Sequence, residues 1–248
     1  MSMKKSLVIA LIGALPEMVF AEGAAHWSYE GHGGPAQWAE LEKDYATCGL
    51  GKIQSPINIT ETKKEKLAEI EFSYQPSTLK LLNNGHTIQV NVADGSSIKI
   101  DADQYKLVQY HFHTPSEEQV QGKYFAMVAH LVHKNAAGQL AVVAVLFEQG
   151  RENEALKPVW SKLPEKESIE QAFAETKVNA AQLLPATKGY YAFEGSLTTP
   201  PCSEGVRWLV LKQPVELSAQ QLAQFRSIIH SNARPVQPLN GRVVKESL

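Results

Sequence analysis

The chain has 248 residues, 44% of them hydrophobic and 20% charged, with a formal net charge of −2. That balance fits an ordinary globular protein, and the lack of a long run of either sign excludes a nucleic-acid surface or a polybasic membrane patch. Length alone does not demand two domains, because sheet-rich single domains reach this size.

The first residues read as a targeting segment. "MSMKK" is a short basic start, and "SLVIALIGAL" is apolar but too short to span a bilayer. "VFA" then places Val19 and Ala21 where a signal peptidase takes small residues. Cleavage is expected after Ala21, leaving 1–21 as signal peptide and 22–248 as the mature domain. A membrane anchor is the alternative, since Phe20 departs from the ideal site. A short Lys-rich signal points to export into a bacterial periplasm. There Cys48 and Cys202 have only each other, so a disulfide is expected, against the alternative of two buried thiols. Such a bridge closes a very long loop, worth roughly 4–5 kcal/mol in the chain-entropy model before any strain. Asn58-Ile59-Thr60 is a glycosylation sequon, a tripeptide that also arises by chance.

Strand-like runs dominate the rest of the chain: 86–92, 96–100, 105–113, 124–133, 139–147 and 205–212, each rich in β-branched or aromatic residues and bounded by turn formers. The clearest helix is 218–230, where Ser218 and Gln221 form a capping-box pair and Leu222, Phe225 and Ile229 recur at helical spacing. Shorter helices are expected near 152–160 and 167–174. The pattern is α+β, mainly β: one sheet-centred domain with peripheral short helices, without alternating βαβ units.

"YHFHTPSEE" (110–118) carries the first chemical signal. Residues i and i+2 of a strand share a face, so His111 and His113 can meet one ion, with Gln109 beside them and Val108, Tyr110 and Phe112 turned to the core. After a turn around "QVQGK", strand 124–133 can return antiparallel alongside, with His130 on one face and His133 on the other. His130 is the expected third ligand and His133 a hydrogen-bonded structural residue. Three neutral imidazoles with a fourth position open is the pattern of catalytic zinc, and the lack of a carboxylate ligand argues against non-haem iron. The spacing His-x-His-x₃-Glu also resembles the first metal motif of cupins, in which the glutamate is a ligand, but the rest of that pattern is missing.

Seven segments in order, "HWSYEGHGGPAQW" (26–38), "QSPINI" (54–59), "NNGH" (83–86), "QYHFH" (109–113), "AHLVH" (129–133), "GSLTTPPCSEGVRWLVLK" (195–212) and "NARPVQPLNGR" (232–242), resemble α-class carbonic anhydrases of the bacterial exported type. The resemblance implies one domain around a central, mostly antiparallel, twisted sheet, with Zn²⁺ at the bottom of a conical cleft. It also implies reversible hydration of carbon dioxide to bicarbonate by attack of zinc hydroxide. His111, His113 and His130 correspond to the zinc ligands, Thr198 to the threonine that orients the hydroxide, Glu117 to its proton acceptor and His86 to the proton shuttle. Val132, Val142, Leu197, Val206 and Trp208 correspond to the carbon dioxide pocket, with Thr199 beside it. Tyr29, Asn84 and Gln89 correspond to groups that order water, and Gln109 and Asn232 to supports of the ligand histidines. Cys48 and Cys202 match the bacterial disulfide. Sulfonamide and anion inhibitors are expected partners, and monomer and homodimer both stay open. A non-catalytic binding module on the same fold and an unrelated zinc hydrolase are the alternative functions.

One position departs from the family. Two residues before the third ligand, where a glutamate usually supports that histidine, stands Val128. Glu118 is expected to take over the support of His130, because losing such a partner typically costs 10–100-fold in metal affinity or activity.

Overall fold

Apolar residues at alternate positions give several strands, such as Ser77–Asn83 and Ile88–Asn91, one side to bury, and the strands join into one large sheet. The computed structural model describes residues 26–248, so the signal peptide expected at 1–21 lies outside the described residues. In chain order the sheet's main path uses β1 (Thr62–Glu65), β2 (Ser77–Asn83), β3 (Ile88–Asn91), β4 (Asp103–His113), β5 (Met127–Lys134), β6 (Leu140–Gln149), β7 (Gln171–Val178), β8 (Tyr190–Ser196), β9 (Glu204–Leu211) and β10 (Val244–Ser247). Their spatial order is β7-β2-β3-β4-β5-β6-β9-β8-β10-β1. Only β6–β9 and β10–β1 pair in parallel along this path; the other neighbours are antiparallel.

The β6–β9 pairing lies inside the sheet and β10–β1 at its edge; β6 is buried from Ala141 to Phe147, as a strand covered on both faces must be. One face packs Leu81, Val90, Tyr110, Phe112, Leu131 and Val145 against Leu222 and Phe225 of the C-terminal helix, Ala219–Ile228. Both halves of the Ser218–Gln221 capping box form, which contributes about 1 kcal/mol at a helix start. The opposite face carries a second apolar cluster, including Val128, Val142, Leu146, Val206 and Trp208. Within the connection from β4 to β5, a two-residue turn at Gln121 and Gly122, both at positive φ, joins the short antiparallel strands Gln119–Val120 and Lys123–Tyr124.

The short helix expected near 152–160 is present as a 3₁₀ turn, Glu154–Leu156, running into one α-helical turn, Lys157–Trp160, and two other expectations are corrected. In place of the helix expected at 167–174, residues 167–170 are irregular and the chain continues as β7, which pairs with β2 as the sheet's edge; closing the free hydrogen-bonding edge of β2 outweighs the local helix propensity of this stretch. Val108 does not pack the core but is 45% exposed. The register skips a residue, with Val132 opposite Gln109 and His133 opposite Leu107, so Val108 is the extra residue of a bulge. Upstream of it Tyr105 and Leu107 face the core; downstream Tyr110 and Phe112 do. Cys48 and Cys202 are joined as a disulfide.

Candidate metal centre

The register of β4 with β5 places His130 directly opposite His111, and the two-residue period brings His113 to the same face. One ring nitrogen from each of His111, His113 and His130 lies within 4.8 Å of the others. Each ring is held by its other nitrogen: His111 Nδ1 is 2.8 Å from Gln109 Oε1, His113 Nδ1 is 2.7 Å from the Asn232 carbonyl, and His130 Nε2 is 2.9 Å from Glu118 Oε1. A carbonyl and a carboxylate only accept, so those nitrogens carry the protons and the remaining three lone pairs converge. His113 Nε2 is buried with no hydrogen-bond partner among the described residues, an orphan that a cation would satisfy. A nitrogen-only set with oriented outer partners fits zinc, and the fit extends to charge. Burial, then repulsion from His130, pushes His111 down to about 3. His113 is held well below its ordinary value by burial and by its two histidine neighbours, so both stay neutral donors.

Two fully buried carboxylates flank this triad. Glu117 Oε2 lies 3.6 Å from His113 Nε2 and 3.8 Å from His130 Nδ1, and Glu117 Oε1 accepts the Arg234 backbone N–H at 2.8 Å. Burial lifts Glu117 to about 7 and the charge of Glu118 adds to the rise, while His130, a hydrogen bond from Thr198 and the Arg234 N–H oppose it. For His130, burial works downward, but the charge and hydrogen bond of Glu118 win and leave it raised. A dication in the triad would reverse this balance and favour the ionised carboxylates.

The other expected site residues fall in three places. Val142, Val206 and Trp208 are buried together, with Val132 and Leu197 packed against them, and Trp208 meets the His130 ring edge-on at 4.9 Å. Thr198 is buried beside Glu117, while Thr199 is half-buried and its carbonyl accepts the Cys202 N–H, tying this loop to the disulfide. His86 stacks on Trp27 at 3.6 Å with His26 on it at 5.1 Å; burial and the charge of His26 lower its pKa, opposed by Glu167. Asn232 connects the two regions, because its Nδ2 donates to the His86 carbonyl while its own carbonyl holds His113. Gln89 lies opposite His111 and donates to Asn91. Tyr29 has a buried hydroxyl with no partner among the described residues, and burial together with the charge of Glu117 raises its pKa well above the ordinary value. Asn84 is largely used elsewhere: its Oδ1 accepts the N–H groups of His86 and Thr87 and shapes the turn before β3.

Sequence reasoning misses Arg234. Its guanidinium, wholly buried over Trp38, donates to Gln54, Ser55 and Cys48 while its backbone fixes Glu117. The one signal for it is an arginine inside "NARPVQP", two residues after Asn232.

Residues 33–248 match the family model for the eukaryotic-type carbonic anhydrase. A carbonic anhydrase of Klebsiella pneumoniae is 50% identical over 98% of this chain and 100% of its own length, and one of Pectobacterium carotovorum is 46% identical over 98% and 99%. The α-carbonic anhydrase of Thermovibrio ammonificans, solved with the inhibitor sulfanilamide, superposes with a TM-score of 0.87 at 43% identity, covering 90% of this chain and 100% of that one. Dioscorin, solved with ascorbate, has the same fold at 31% identity and a TM-score of 0.84, covering 90% and 99%. With a histidine triad of this geometry, a matched family model and relatives of this identity, the chain belongs to the eukaryotic-type, or α-class, carbonic anhydrase family, lyases that hydrate carbon dioxide.

Proposed function

We propose that this protein interconverts carbon dioxide and bicarbonate with a zinc ion held by His111, His113 and His130. The observation that carries the reading is the set of three imidazoles whose outer nitrogens are each engaged by an acceptor, so that their free lone pairs converge. When bound, zinc would bring the pKa of a coordinated water near ~7; carbonic anhydrases are the standard example of this effect, and the value is theirs. Glu117, ionised beside a cation, would only accept, so the Thr198 hydroxyl would donate to it and keep its own lone pair for a hydrogen-bearing group bound at the ion. That arrangement selects a partner with a hydrogen to give and fixes its direction of approach. The wall of Val132, Val142, Leu197, Val206 and Trp208 offers an apolar substrate a dry surface and few competing hydrogen bonds.

A proton must leave after each turnover, and His86 supplies an imidazole whose ordinary pKa is close to the donor's. Stacking on Trp27 and His26 orients the half-buried ring, and the Asn232 side chain holds its backbone carbonyl. Sulfonamides and small anions are expected to inhibit by occupying the fourth position.

Stopped-flow carbon dioxide hydration tests the reading. Activity should vanish with a zinc chelator, return with zinc and fall with a sulfonamide; zinc-loaded protein without hydration activity overturns it. His86→Ala should lower kcat about 10-fold or more in dilute buffer with kcat/KM little changed, and imidazole should restore it. An unchanged kcat removes His86 from the proton path.

A further inference from the structure

The His130 ring is supported from a loop, although a position on its own strand faces the same space. Glu118 Oε1 meets His130 Nε2 at 2.9 Å, and the carboxylate is 0% exposed. Among the described residues its other oxygen, Oε2, has no hydrogen-bond partner, and the His130 N–H is the one side-chain donor to this buried carboxylate. The loop beneath it is pinned on all sides. Thr114 N donates to Asn232 Oδ1, Ser116 N to the Phe125 carbonyl, Ser116 Oγ to the Glu118 carbonyl and Gln119 N to the Ile57 carbonyl.

Val128 lies two residues before His130 on β5, so its side chain leaves the same face about 6.5–7 Å away, within reach of a longer side chain. It is 0% exposed and belongs to the apolar cluster of Ile57, Ile59 and Leu146. A single imidazole N–H satisfies one carboxylate. A second one in the same dry space would be buried without a donor, which is costly.

We propose that positions 118 and 128 are two mutually exclusive seats for one carboxylate, and that this chain has filled the loop seat. Glu118 is then a positioning residue that fixes the His130 ring for a metal, and Val128 keeps the strand seat apolar. The inference rests on the reading of the triad as a zinc site.

The test compares zinc-loaded wild type with Glu118→Gln, Glu118→Ala, Val128→Glu and the double variant Glu118→Ala/Val128→Glu. Two properties are read besides activity: the rate of zinc loss to excess chelator and the visible spectrum of the Co²⁺-substituted protein. Glu118→Ala should speed zinc loss roughly 10–100-fold and alter the cobalt spectrum, with Glu118→Gln, which keeps an acceptor, lying between it and wild type. Val128→Glu alone should also lose zinc faster. The double variant should recover most of the wild-type rate and spectrum.

Glu118→Ala with wild-type zinc loss and spectrum would overturn the inference, as would a double variant showing the two single defects multiplied. If Glu118→Ala does not fold, Glu118→Gln and Glu118→Gln/Val128→Glu are read in the same way. Wild type that binds no zinc would sink the metal reading itself. A wild type that is zinc-loaded and active beside an undisturbed Glu118→Ala would sink this inference alone.

Discussion

His130 and His133 lie three residues apart on β5, both almost wholly buried, and the protein treats them in opposite ways. His130 faces two carboxylates, Glu117 and Glu118, and is raised above its ordinary pKa despite its burial. His133 faces the other apolar layer, where Tyr74 Oη meets its Nε2 at 2.8 Å and its Nδ1 donates to the Ala141 carbonyl at 3.3 Å. With neutral partners only, burial takes His133 down to about 4. Depth is the same for both, so the partner decides: charged acceptors prepare one ring to face a cation, and neutral groups lock the other as an uncharged strut.

The largest expected effect comes from breaking the His130 side. His130→Ala should abolish stoichiometric zinc binding and reduce carbon dioxide hydration by more than the ~100-fold upper figure for losing only an outer partner, since it removes a ligand itself. Metal analysis and stopped-flow hydration check this. If the variant retained zinc and activity, the two histidines would not differ as described. The contrast also predicts an effect of pH on stability from the His133 side. Its folded pKa of about 4 lies below the ordinary 6.5, so the unfolded chain binds more protons between those values. The stability from keeping this ring neutral is therefore complete above pH 6.5 and is lost as pH falls to about 4. The full amplitude is about 3 kcal/mol. Urea unfolding of wild type and His133→Gln at pH 7, 5.5 and 4 isolates it, because the triad is common to both proteins. Parallel pH slopes would remove His133 from the acid response.

Much of this contrast is legible from strand parity. A two-residue period puts His111 and His113 together, and the hairpin after "QVQGK" returns His130 to them while turning His133 away. The capping box at Ser218 is equally local. What escapes depends on partners distant in sequence. The bulge at Val108 is set by the register of β5, and no feature of 105–113 alone marks where the parity flips. The edge strand β7 reads as helix until β2 offers it a hydrogen-bonding edge. β2 itself has visible alternation, with Leu79, Leu81 and Asn83 buried, yet it is absent from the six strand-like runs. Arg234 and Glu118 matter through groups far away in the chain: Glu117, Gln54 and Cys48 for one, and His130 for the other. The family resemblance supplies Thr198 and His86, which periodicity could not single out.

The smallest expected effect sharpens the comparison from the Tyr74 side. Tyr74→Phe keeps the ring that stacks beside His133 but deletes the hydroxyl that satisfies its Nε2. A buried acceptor then has no donor, at a cost of about 1–3 kcal/mol, read as a lower urea midpoint at pH 7. Hydration activity at saturating zinc should stay within about 2-fold of wild type, because Tyr74 lies in the layer away from the triad. If Tyr74→Phe instead weakened zinc binding, the two faces of β5 would be coupled through the strand, and the separation of a charged metal side from a neutral structural side would fail. If stability were unchanged, His133 would find a replacement donor, and burial alone would account for its neutrality.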